Sequence, residues 1–264
     1  MKFSCKSLVI INIVTLAMML FLNYAFNAGL LSDKNVAAIS HKYDTLFAPA
    51  GYAFSIWGFI FMLCIGFTVY QGVLLIKNDP QQYIRRTGLW FTIGNIANGL
   101  WLYCWTNEMM GLSVALIVVL LTSLCVLIVR LRPTQNEKSM TTNFFVWWPV
   151  VIYLGWIMVA TIACVAAWLV SMGWRGEVIG ETTITITMVI VAALIYLFII
   201  VKHNLTLAGV VGIWAFVAIA VRQQYANNHI DLTALVASGT LTATIISHIY
   251  FNYRELPKIG NTPK

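Results

Sequence analysis

Two sets of side chains carry the chemistry this sequence offers. In the first, Asn98, Trp101 and Trp105 are spaced i, i+3, i+7 and fall on one face of a helix, with Asn95 one turn before Asn98. In the second, Tyr153, Trp156, Ala160 and Cys164 form a similar face. Ala160, Ala163 and Ala167 add small residues that let a neighbour approach closely. Rigid rings with one polar handle suit a pocket for a flat, apolar ligand. The same pattern also suits plain packing between helices, and asparagine in hydrocarbon needs a partner in either case.

Other chemistry has little support. No HExxH, GxSxG or P-loop pattern occurs. His41, His203 and His229 fall in loops. His248, near the end of the last apolar run, is expected to pack between helices; as an axial haem ligand it would lack a visible partner. The five cysteines (Cys5, Cys64, Cys104, Cys125 and Cys164) contain no CxxC pair and read as small apolar helix residues. Neither a metal site nor a catalytic constellation is expected.

The elements that position those faces are continuously apolar. The chain is 60% hydrophobic and 9% charged, against roughly 25% charged in soluble domains. Segments near 8–26, 53–76, 88–106, 111–129, 144–170, 182–201, 205–221 and 232–251 have about the length a bilayer needs. Strands of a barrel would alternate apolar and polar residues, and these do not. The expected fold is an all-α, polytopic integral membrane helical bundle of about eight transmembrane helices. The segment at 205–221 is the shortest, and that at 144–170 is long enough to tilt or extend past the bilayer. Ala25-Phe26-Asn27-Ala28 is a poor cleavage site, so the first segment reads as a retained helix rather than a signal peptide.

Charge orients the bundle. With eight spans and the N-terminus inside, Lys2, Lys6, Lys77, Arg85, Arg86, Arg130, Arg132, Lys138, Lys202, Arg254, Lys258 and Lys264 lie on the inner side. Lys34, Lys42, Arg175 and Arg222 lie outside. Twelve against four is a positive-inside bias that predicts cytoplasmic N- and C-termini. The net charge of +7 thus reads as an orientation signal, and no nucleic-acid partner is expected.

Three stretches resemble the TspO/MBR family of tryptophan-rich sensory proteins and translocator proteins. Residues 47–70, FAPAGYAFSIWGFIFMLCIGFTVY, look like its Pro-Pro-Gly-Trp loop running into helix two. Residues 95–112, NIANGLWLYCWTNEMMGL, look like its Asn-x-x-Trp helix, and residues 152–164, IYLGWIMVATIAC, like its Pro-Tyr-Leu-Ala-Trp helix. The chain departs from the pattern at Pro49-Ala50-Gly51-Tyr52, at Ile152 in place of proline, and at Cys164 in place of a common asparagine. Leu112 stands where some members have a pocket tryptophan. The likeness covers about residues 1–175, a five-helix unit, and residues 176–264 add a three-helix membrane segment that short members lack.

The resemblance implies a cavity inside the five-helix unit, lidded by the loop between helices one and two. Trp57 would stand near its mouth, Asn98 and Trp101 on one wall, and Tyr153, Trp156, Ala160 and Ala163 on or behind the other. Pro49, Gly51 and Tyr52 would shape the lid. Family ligands include porphyrins, haem and sterols. The function implied is binding, sensing or carriage of an apolar ligand, a porphyrin or haem among the candidates. The bilayer and an apolar small molecule are the expected partners, with a homodimer as a further assembly. A structural or accessory subunit is the alternative, for which Ala234, Ser238 and Thr242 offer a small-residue face. An enzyme acting on a bound pigment or lipid would have only tyrosines, His248, Asp44 and Glu108 for acid–base work.

Overall fold

The computed structural model describes residues 3–77, 82–132 and 139–254. Of the basic residues counted on the inner side, Lys2, Lys138, Lys258 and Lys264 lie outside the described residues. The described chain is helical, without strands. Its long helices are α1 (Cys5–Asn27), α3 (Ile56–Ile76), α5 (Trp90–Thr106), α6 (Met110–Leu131), α8 (Trp148–Ser171), α9 (Glu181–His203), α10 (Thr206–Gln223) and α11 (Asn228–Arg254). Short helices α2 (Val36–Lys42), α4 (Gln82–Thr87) and α7 (Met140–Thr142) sit between them, and a 3₁₀ turn at Gly51–Ser55 leads into α3. The protein is a multi-pass integral membrane bundle.

Among the described residues, seven of the eight long helices are long and apolar enough by themselves to cross a bilayer. The exception is α5, whose 17 residues rise about 26 Å at roughly 1.5 Å each. The shortfall was expected at 205–221, but α10 reaches 18 residues. A short α5 is tolerable because it packs between α1 and α6 rather than facing lipid all round. Twelve of its residues are buried, including Thr92, Asn95, Asn98, Trp101 and Trp105. The long fifth segment does extend: helical backbone runs from Met140 to Ser171. It widens to a π turn over Asn143–Trp147, just before Pro149. Proline has no N–H for the helical ladder and crowds the preceding turn, so a wider turn there relieves the clash.

Polarity is turned inward. Ile10, Val14, Met18 and Phe21 form an exposed apolar stripe on α1, and Ile190, Leu194 and Phe198 do the same on α9. Asn12 and Asn23 of α1 and Thr92, Asn95, Asn98 and Thr106 of α5 are buried between helices instead. Asn12 donates to Gln71 Oε1 of α3 (3.0 Å) and accepts from Thr92 of α5 (2.8 Å). Gln71 passes the chain on to Thr87 at 3.2 Å. Nearer the other face, Asn23 donates to Asn98 Oδ1 at 2.9 Å. Hydrocarbon offers these groups no alternative partner, so the bonds fix the register of α1 on α3 and α5.

The last three helices join the others through small residues. A Cβ on Gly155 of α8 would stand 3.0 Å from the Cα and carbonyl oxygen of Ala208 on α10. Gly212 leaves room for the Tyr196 ring, whose hydroxyl donates to Gly155 O at 2.6 Å. On α11, Ala234 and Ser238 are buried within the bundle, where α11 meets α9 and α10. Thr242, the third residue of that face, is exposed.

The α8–α10 joint yields a test. Gly155→Val should destabilise the protein by about 1–3 kcal/mol, since the added methyls meet backbone that cannot give. Gly72, whose Cβ would meet nothing within 4 Å, should accept alanine with no loss. Thermal unfolding in detergent checks both.

Candidate functional site

The segment between α1 and α3 is held from two sides. On one side, Trp105 Nε1 of α5 donates to Val36 O at 3.2 Å. Glu108, in the α5–α6 turn, adopts the left-handed conformation (φ 61°). Its carboxylate receives Lys34, Lys42 and the Tyr43 hydroxyl, the last at 2.6 Å. These three donors hold the Glu108 carboxyl down at about 2, from an ordinary value of 4.5.

On the other side stands α10, which reads the segment largely by its backbone. Ala50 N donates to Ala218 O (3.0 Å), Trp214 Nε1 to Ala53 O (3.2 Å), and Gln223 Nε2 to Leu46 O (2.9 Å). Arg222 Nη1 donates to Ala48 O at 3.2 Å, and its other terminal nitrogen pairs with Asp44. Tyr52 packs edge-on against Trp214, with ring centroids 5.2 Å apart.

Under this segment lie two adjoining spaces. The deeper is a chamber of about 50 Å³ whose floor and walls are Trp57, Trp101, Trp105, Trp156, Ala160 and Ala163. The outer is a vestibule of about 510 Å³. Val36, Ser40, Pro49, Phe54, Trp57 and Trp101 line both. The chamber has room for little more than a water, whereas the vestibule has the size of small-molecule sites. Trp57 stands at the junction, 6.4 Å from Trp156 by ring centroid, and Trp101 stacks on Trp105 at 5.7 Å. The indole N–H groups of Trp101 and Trp156 are buried with no hydrogen-bond partner. The weakly accepting Cys164 thiol neighbours the Trp101 group.

The candidate residues divide accordingly. Trp57, Trp101, Trp156, Ala160 and Ala163 line the chamber, and Pro49 lines both spaces. Gly51 lines the vestibule. Asn98 and Tyr153 do not line either space. Asn98 is fully buried, accepts from Asn23 and donates to Tyr153 Oη at 3.0 Å. Its amide is engaged by the fold, and Tyr153 backs the Trp57 ring, centroid to centroid 5.9 Å. Tyr52 likewise points to Trp214 rather than into the vestibule. Sequence reasoning missed Asn23, Asn27, His41 and Arg222, which line the vestibule. Asparagines at 23 and 27 in an apolar helix were a readable signal. Arg222 was not, because its place depends on how α10 docks.

The Glu108 cluster carries a pH dependence. Its carboxyl sits below the ordinary value, so its hold on the segment is complete above about 4.5 and is lost as pH falls towards about 2. Cleavage of residues 28–55 by an added protease should therefore be slow and constant from neutral pH down to mild acid. Glu108→Gln should raise it at neutral pH.

The comparisons with known proteins agree with this architecture. No curated protein and no solved structure matches the chain. A family model described as TSPO-like protein matches residues 9–247, reaching from α1 into α11. A match over that much of the chain shows the kinship, and with a helical membrane bundle around a loop-covered aromatic cavity, the chain belongs to the TSPO-like family.

Proposed function

We propose that this protein binds a flat, apolar small molecule bearing a hydrogen-bond acceptor, as a membrane sensor or carrier. The ligand's body would lie in the vestibule against Trp57 and Trp101 and press towards Trp156. One observation carries the reading: two buried indole N–H donors line the same aromatic-walled space, Trp156 without a partner and Trp101 with only the weakly accepting Cys164 thiol beside it. A buried donor left unpaired costs about 1–3 kcal/mol, and an acceptor on a ligand would remove that cost. Porphyrins, haem and sterols, the ligands implied by the family, share the apolar body.

Binding rather than turnover is the activity assigned, because no carboxylate lines the cavity. Glu108 is engaged by Lys34, Lys42 and Tyr43, and Asp44 by Arg222. His248 bonds Asn204 at 2.9 Å, in the α9–α10 turn. In the orientation we assign, the termini are cytoplasmic and the cavity mouth faces the opposite side. Supporting it, Lys34, Lys42, Arg175 and Arg222, the four basic residues on the mouth side, each have an acidic partner.

Two measurements test this. Protoporphyrin IX should quench the tryptophan fluorescence of the purified protein. Trp101→Phe, which keeps a ring but loses the donor, should bind about tenfold more weakly; unchanged affinity would sink the assigned pocket. A reporter fused after Lys264 should be active in the cytoplasm, and activity only on the other side would reverse the orientation.

A further inference from the structure

The cavity is not built by the first five long helices alone. Arg222 of α10 lines the vestibule, and its side chain keeps 24% of its surface exposed. Two of its N–H groups hold Ala48 O and Asp44. A guanidinium has five such groups, so others remain for a ligand. His41 lines the same space, and no Asp or Glu lines the vestibule or the chamber. One end of the space thus carries a guanidinium while the rest is aromatic and apolar.

We propose that the ligand is an amphipathic carboxylate. Its apolar body would lie against Trp57 and Trp101, and its carboxylate would take the free N–H groups of Arg222. A planar fork of donors matches a carboxylate in geometry. A single guanidinium that already shares its charge with Asp44 suits one negative charge better than the two of a phosphate monoester. The site would then be completed by α10, which holds the covering segment and supplies the group that selects the ligand's polar end. This inference rests on the cavity assigned above and adds the ligand's charge and the residue that reads it.

The test uses the full chain in detergent, tryptophan quenching as readout, and two probes of one shape: protoporphyrin IX, with free carboxylates, and its dimethyl ester, without them. Wild type should bind the acid about tenfold more tightly than the ester. Arg222→Gln should bring the acid down to the ester's affinity and leave the ester unchanged. Asp44→Asn breaks the same ion pair but keeps the cation, so it should retain the preference for the acid. Three results would overturn the proposal: no preference in wild type, a preference that survives Arg222→Gln, or equal loss of both probes in that variant. Loss of the preference in Asp44→Asn would overturn it as well. Failure of both probes to bind wild type would instead remove the cavity assignment on which it stands.

Discussion

Hydrocarbon gives a polar side chain nothing to bond with, so each amide or hydroxyl at membrane depth must be answered from within the protein. In this bundle that constraint does much of the positioning. Asn12, Gln71, Thr87 and Thr92 answer one another towards one face, and Asn23, Asn98 and Tyr153 towards the other. Apolar burial alone cannot set such a register, because lipid tails are as apolar as Leu or Ile and reward either surface equally. Directional bonds between α1, α3, α5 and α8 decide which faces turn inward. They bring Trp57, Trp101 and Trp156 around one space, with Asn98 and Tyr153 as its backing.

The cover of that space is held by partners far apart in the chain. Glu108 grips the early part through Lys34, Lys42 and Tyr43, and α10 grips the later part through Trp214, Arg222 and Gln223. Four of the contacts with α10 go to or from the segment's backbone, so its path is fixed with little demand on its side-chain identities. Ala50 stands where the resembled pattern has its second proline, and it supplies the N–H that donates to Ala218 O, which a proline could not. Tyr52 meets Trp214 instead of entering the cavity. The last three helices are therefore joined to the site as well as to the bundle. Their attachment depends on Gly155, Ala208 and Gly212, where the absence of side-chain bulk brings two backbones together.

Legibility followed the range of the interactions. Spans could be read because each is decided by local hydropathy, and only α5 fell short of crossing unaided, being screened by its neighbours. The two aromatic faces could be read because helical spacing places Asn98 with Trp101 and Trp156 with Ala160. Whether a residue on such a face looks into a cavity or at a second helix is not local. Asn98 meets Tyr153, and Trp101 meets open space, although both sit on the same side of α5.

By itself the sequence determined a helical membrane bundle, the family likeness and the aromatic character of the cavity, since composition, spacing and short motifs encode these within a turn or two of helix. Tertiary structure alone decided which candidates face the space, that Glu108 holds its cover, and that Arg222 reaches its mouth. Those outcomes depend on contacts across many residues of chain, Arg222 with Asp44 above all. No pattern of neighbouring side chains encodes where α10 comes to rest. That is set by close packing at Gly155 and by hydrogen bonds from Trp214, Arg222 and Gln223 to the backbone of the covering segment.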